Sequence, residues 1–317
     1  SYYRVMLPLD ELNRHGFTTS YEYGTTDKKA DPGTDLIVGH MIGHPKWWRS
    51  LRRHAPLAIE LDDDPFEVEK VNPAYPVYGD PLAQENIRFC IQAADLVTTS
   101  VEPLAERLRK LNPNVAVLPN RIDQALLGIE RKRNQRLTIG WAGGASHCFD
   151  ILECVRGVQK TMNRNPDVDV HLIGADFRFL FDKNYELKRT PKYQIRFTDW
   201  SSKVMDYYTK IDFDIGLAPL KATKFSAAKS AIKALEYAAL GIPVVASDTA
   251  PYNDFVIDGV TGWLVRKDHE WAVRLRELIH DEAMRTEMGA KAKEQASRHT
   301  IQEHWDDWAS AYQGIRG

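Results

Sequence analysis

An α/β fold built from two parallel-sheet domains is what this sequence predicts, and three features predict it. Its 317 residues exceed what one core usually organises, and a composition of 43% apolar and 10% aromatic residues can fill two. Short apolar runs alternate with amphipathic helical stretches, the rhythm of strands covered by helices. The rhythm lapses over the polar stretch 124–136, which ends RKRNQR, and then starts again. The boundaries expected are an N-terminal domain over 1–122, a second domain over 123–299, and a final helix over 300–317 that packs back on the first.

Residues 3–15 read as a helix closed by Gly16. Short strands are expected at 18–23 (TTSYEY), 35–40 (DLIVGH) and 56–62 (PLAIELD), then a helix over 82–94, a strand at 95–100, a helix over 102–111 and a strand at 115–120. The second series runs strand 137–143, helix from about 150 to 163, strands 168–174 and 193–199, helix 202–211 and strand 213–220. The stretch KSAIKALEYAALGIPVVAS at 229–247 continues a helix starting near Ser226, which Gly241 and Pro243 halt before a β-branched strand. TGWLV and two terminal helices follow, and at the end Trp305, Trp308 and Tyr312 recur at helical spacing as one aromatic docking face.

The formal charge of −2 argues against a polyanion-binding molecule as a whole. Cys90, Cys148 and Cys154 form an odd, scattered set without metal-ligand spacing, and read as structural thiols in a reducing compartment. No apolar stretch approaches the ~20 residues that span a bilayer, and no secretory signal opens the sequence, so a cytoplasmic protein without membrane insertion is expected. The first residue is Ser1 rather than methionine, which leaves open that earlier residues were removed.

Four stretches invite chemistry. In LTIGWAGGASH an apolar strand runs into Gly143, Gly144, Ser146 and His147 just before a helix, where backbone N–H groups can meet an anion; tight-turn geometry alone also explains the glycines. The spacing is neither G-x-G-x-x-G nor a phosphate loop ending Gly-Lys-Ser/Thr. On the helix from Ser226, positions 229, 233 and 236 share an edge, so Lys229 and Ser230 with first-turn amides suit a diphosphate and Glu236 suits two ribose hydroxyls; a solvated face with a Lys233–Glu236 pair is the plainer account. Asp62, Asp63 and Asp64 close an apolar strand, which raises a divalent metal against simple capping of the turn, and no metal is expected. His40 and His44 are four apart, but Gly39, Gly43 and Pro45 oppose a helix that would aim both at zinc. Arg49, Arg52 and Arg53 beside Trp47 and Trp48 suggest either phosphate contacts, nucleic acid included, or a solvated helix face, and the second is preferred.

The stretch from Lys229 to Val265 resembles the donor-binding region of retaining GT-B glycosyltransferases of family 4, the glycosyl transferases group 1. Glu236, Gly241, Pro243, Gly259, Gly262 and Val265 match its order of glutamate, Gly, Pro and a later Gly-x-x-Gly-x-x-Val run. The likeness extends through SYYRVMLPLDELNRHG, ADLVTTSVEPLAERLRKL, VAVLPNRID and IGWAGGASH, and so over nearly the whole chain; the first of these resembles the family's first helix, which implies a strand ahead of it that this sequence lacks. Ala228 stands where the family carries a first, sugar-contacting glutamate, and Lys-Ser-x-x-Lys-x-x-Glu resembles the variant of a subset.

The resemblance implies two Rossmann-like domains facing across a cleft, a nucleoside-diphosphate sugar as donor, an acceptor of unknown class, and no cofactor. It implies donor contacts at Gly143, Gly144, Ser146, Lys229, Ser230, Lys233 and Glu236, an acceptor side at His40, Asp62 and Asp63, and catalytic roles for Lys229, His147 and Asp63. Retention of configuration is what it favours, with Asp63 as the base if the reaction inverts. A nucleotide-sugar epimerase and a silent nucleotide-sugar-binding protein are the alternatives.

Overall fold

A strand that is apolar on both faces must be covered on both, and LAIEL at Leu57–Leu61, apolar but for Glu60, is buried at every position in the computed structural model. The structure describes residues 2–22, 31–41, 43–132, 134–183 and 195–316. The chain divides into two units, one of Ser1–Arg121, Ala227–Ser230 and Thr300–Gly317, the other of Ile122–Ser226 and Ala231–His299.

Among the described residues the first unit holds four parallel strands in the order β1 (Ile37–His40), β2 (Leu57–Leu61), β3 (Leu96–Thr99), β4 (Val115–Val117). Trp48, Ile59, Ile91, Val97 and Leu104 form its main core, and Ala228 packs into the same cluster. Asp80 caps the helix Pro81–Ala93 by accepting from the Ala83 N–H at 2.9 Å, so the Asp-Pro pair sets where that helix begins. A second cluster joins Leu7 and Leu12 of the first helix to Ile301 and Trp308 of the helix Ile301–Gln313. The aromatic face is used here: Trp305 stacks on His15 at 3.8 Å, and Tyr312 meets Trp308 edge-on.

Glu60 interrupts the apolar run of β2 and is fully buried. Arg4 neutralises it with two bonds of 2.7 and 2.9 Å, donates also to the Leu118 carbonyl and to Asn120 Oδ1, and lies 4.7 Å over the Trp308 ring. Thr98 of β3 donates to the same carboxylate. One guanidinium thus ties the first helix to β2, to the chain after β4 and to the C-terminal helix. All three thiols are free, and burial pushes each of them up, which suits structural cysteines.

The second unit is a six-stranded parallel sheet in the order β10-β9-β8-β5-β6-β7, with β5 at Thr138–Gly143, β6 at Asp169–Gly174, β7 at Ile195–Asp199, β8 at Ile215–Ala218, β9 at Val244–Ser247 and β10 at Gly262–Val265. The chain moves outward from β5 to β7 and then returns to β8 on the other side of β5. That reversal creates a topological switch point between β5 and β8, where open parallel sheets bind ligands. The helices Cys148–Arg164 and Asp268–His280 approach closely at Gly157, where a Cβ would stand 2.4 Å from Trp271 Cβ. No described helix is long and apolar enough to cross a membrane.

Two expectations change. Residues 18–22 of the stretch TTSYEY form no strand, and its last residue, Tyr23, lies outside the described residues, as do 193–194 of the strand expected at 193–199. The helix expected from Ser226 is broken: a 3-10 turn at Ser226–Ala228 is followed by a bend, and the α-helix spans only Ile232–Ala239. Burial of Ala228 in the core of the first unit outweighs the helical propensity of the run. Gly241, at φ +68°, ends the helix as anticipated.

Arg4→Ala removes the counter-ion of the buried Glu60 and leaves it only the Thr98 hydroxyl, and should destabilise the protein by about 3–5 kcal/mol, read as a lower urea midpoint. Replacing both charges together, Arg4→Met with Glu60→Leu, should recover most of that loss.

Candidate active site

Beyond Gly140, β5 and β8 part company: only Ile139↔Ile215 and Gly140↔Gly216 pair between them. The N–H and C=O of Ala142 therefore have no strand partner on that side, and an unpaired buried peptide is costly. The helix Ile232–Ala239 supplies both bonds. Tyr237 Oη accepts from the Ala142 N–H at 2.9 Å, and Lys233 Nζ donates to the Ala142 carbonyl. Residues 233 and 237 are one turn apart and so share a helix face. Gly216 makes the arrangement feasible, because a Cβ there would stand 2.5 Å from the Tyr237 ring. Lys233 is 8% exposed and lies 5.1 Å from the Trp141 ring centroid, and a Cβ on Gly143 would come within 2.9 Å of its Nζ. The ammonium thus sits directly under the glycine turn.

That turn continues through Gly144, where a Cβ would meet open space, into a 3-10 turn at Ala145–His147 and the 17-residue helix Cys148–Arg164. Its position at a helix N-terminus favours an anion. His147 Nδ1 lies 2.8 Å from Asp150 Oδ2, while Asp150 Oδ1 accepts from the Lys221 N–H at 3.1 Å in the segment after β8. Asp150 therefore orients the imidazole and joins the segments on the two sides of the switch point. The spacing of three between His147 and Asp150, before a helix, was a readable signal for that pair.

Glu236 is 8% exposed and accepts from Tyr208 Oη at 3.0 Å. Burial pushes its carboxyl up to about 7, against the opposing charge of Lys233 and the tyrosine hydrogen bond. Tyr208 carries no sequence signal, since it lies on a separate helix, Val204–Thr209, and is brought to Glu236 by the fold.

The remaining candidates lie in the first unit. Lys229 and Ser230 are not on the helix with Lys233 and Glu236, so the single polar edge expected there does not form. Lys229 Nζ contacts Asp63 Oδ1 at 2.9 Å, and Ser230 Oγ accepts from Asn120 Nδ2 at 2.7 Å. Asn120 also accepts from Arg4, so the bend carrying Ser230 is anchored on the buried ion pair. The three consecutive aspartates turn to three partners. Asp62 lies 3.3 Å from His40 Nε2, Asp63 meets Lys229, and Asp64 binds Arg107 at 2.5 Å and the Phe66 N–H at 2.9 Å. Burial alone would raise Asp62, but His40 and then Arg4 hold it down at about 2. Among the described residues no three His, Cys, Asp or Glu side chains converge as a metal-ligand set.

The basic stretch after His44 has local partners. Trp48 is in the core, Arg52 bonds Asp95 and the Ala93 carbonyl, and Arg49 lies 4.5 Å over the Phe89 ring.

Residues 122–295 match the family model described as glycosyl transferases group 1. No curated protein matches the chain at a significant level. Among solved structures, a TarM mutant of S. aureus in complex with fondaparinux, α-GlcNAc-glycerol and UDP is similar at 13% identity and TM-score 0.63, over 84% of this chain and 53% of that one. The chain thus spans about half the length of TarM. Anabaena HepE in complex with UDP-glucose is similar at 16% identity and TM-score 0.61, over 89% of this chain and 77% of its own. A UDP-forming α,α-trehalose-phosphate synthase from Burkholderia xenovorans is similar at 14% identity and TM-score 0.65, over 91% and 75% respectively. At these identities the likeness establishes the fold, GT-B, with its two Rossmann-like domains.

Because the folded-state pKa of Glu236 is raised, its contribution to stability is fully present below about pH 4.5 and is lost as pH rises through about 7. Over that window the protein should lose roughly 2–3 kcal/mol relative to Glu236→Gln, measured by urea unfolding as a function of pH. Parallel pH profiles for the two proteins would contradict the assignment.

Proposed function

The chain belongs to the glycosyl transferases group 1 family, and from that premise we propose that it transfers a hexosyl group, with retention of configuration, from a nucleoside-diphosphate sugar to an acceptor hydroxyl. Glu236 carries this reading: a carboxylate at the switch point of the second unit, inside the run with Gly241, Pro243, Gly259, Gly262 and Val265, and oriented by Tyr208. In this reading Glu236 accepts the ribose hydroxyl protons. The complexes of TarM with UDP and of HepE with UDP-glucose support a uridine nucleotide as the first donor to test.

Transfer breaks the bond between the anomeric carbon and the phosphate oxygen, and the electron pair leaves with the diphosphate. The acceptor oxygen bonds the same carbon, and its proton passes to the departing phosphate on the same face. The largest demand is stabilisation of the leaving charge. We assign that task to the amides of Gly143, Gly144 and Ser146, to His147 held by Asp150, and to Lys229 and Ser230. Lys233, bonded to the Ala142 carbonyl beneath the turn, adds positive potential while bracing the backbone. With these cations in place a divalent metal is not needed in this scheme. His40, Asp62 and Asp63 are assigned to the acceptor side, where Asp63, paired with Lys229, is the residue an inverting reaction would use as base.

Tight binding of a ligand raises apparent stability, so a panel of nucleoside diphosphates and their sugars should raise the melting temperature for at least one base. Glu236→Ala should abolish most of that shift while the apo protein stays folded, and an unchanged shift would defeat the ribose assignment. Lys229→Ala should weaken diphosphates more than nucleosides, and equal losses would contradict its role at the diphosphate.

A further inference from the structure

Trp200 is 56% exposed, and since a single exposed apolar side chain is ordinary, its surroundings decide whether it has a use. It directly follows the carboxyl end of β7, on the edge of the sheet where parallel α/β folds bind ligands. Its placement is fixed rather than loose. The Trp200 N–H donates to Asp199 Oδ1 at 2.7 Å, and Lys210 Nζ donates to the Asp199 carbonyl at 3.1 Å. One side of the indole is backed by Tyr207, at 5.1 Å between ring centroids and a tilt of 41°. Tyr207 in turn lies 5.4 Å from Tyr208, whose hydroxyl bonds Glu236. An unbroken line of aromatic contact therefore leads from the carboxylate assigned to the ribose to an open indole.

The order of groups along that line matches a nucleotide, in which the base projects from the ribose on the side away from the phosphates. We propose that Trp200 is the stacking platform for the nucleobase of the donor. This rests on the assignment of Glu236 to the ribose. An indole face accepts any base through its π-surface, so the platform supplies affinity while the bonds that choose between bases come from elsewhere. The backing by Tyr207 keeps the ring from turning away when the base departs.

The test is calorimetric titration of the full chain with UDP, ADP and GDP, and with the base-free 1-O-methylribose 5-diphosphate. For the nucleotide that binds most tightly, Trp200→Ala should weaken binding by roughly tenfold and Trp200→Phe by no more than about threefold, while the base-free analogue changes by less than about twofold. Because the side chain is exposed, the melting temperature of the unliganded variants should stay at that of the parent. Unchanged nucleotide affinity in Trp200→Ala, or an equal loss for the base-free analogue, would overturn the platform and leave the ribose assignment standing. Failure of the parent protein to bind any of the three nucleotides would overturn both.

Discussion

The second unit is organised around one peptide group, that of Ala142. Where β5 and β8 diverge, this N–H and C=O lose a strand partner, and their burial demands replacements. Tyr237 and Lys233 provide them from successive turns of one helix. That requirement sets the approach of the helix to the sheet and calls for glycine at 216 to admit the tyrosine and at 143 to admit the ammonium. It also determines where Glu236 stands, since a helix held at positions 233 and 237 has no freedom to turn the residue between them. The cation beneath the glycine turn and the placement of the buried carboxylate follow from the same divergence of two strands.

The first unit meets a comparable demand with charge. Glu60 in the middle of a fully buried strand is tolerated because Arg4 reaches it bidentately, and desolvation of the two ions is offset by their mutual attraction and by Thr98. The same guanidinium reaches Asn120, and through it the bend at Ser230. Residues beside a candidate site are thus placed by an ion pair that takes no part in it. The aspartates behave differently again. Three adjacent carboxylates avoid mutual repulsion by engaging His40, Lys229 and Arg107, which disperses their charge.

Much of this was legible beforehand. The alternation of apolar runs and helices located, within a few residues, nine of the ten strands found among the described residues, together with the lapse at the connector and the aromatic face of the last helix, because each depends on side chains close in sequence. The one strand expected in excess, at 18–23, had β-branched and aromatic residues but no neighbouring strand to pair with among the described residues. His147 was singled out from local context and Glu236 from helical spacing together with the family resemblance, whereas Tyr208 and Asn120 were not, since their importance lies in partners contributed by other elements; the bond of Asp150 to the Lys221 N–H was hidden for the same reason.

By itself the sequence determined the class of fold, the glycine and proline punctuation after Leu240, and the group of residues carrying the family's donor pattern. Only the tertiary structure decided that the helix begins at Ile232 instead of Ser226, that Lys233 serves the backbone of β5, and that Lys229 pairs with Asp63. The reason is one of range. Helical periodicity reports which residues share a face, but a chain's choice between continuing a helix and burying Ala228 depends on cavities and unpaired groups built by residues remote in sequence.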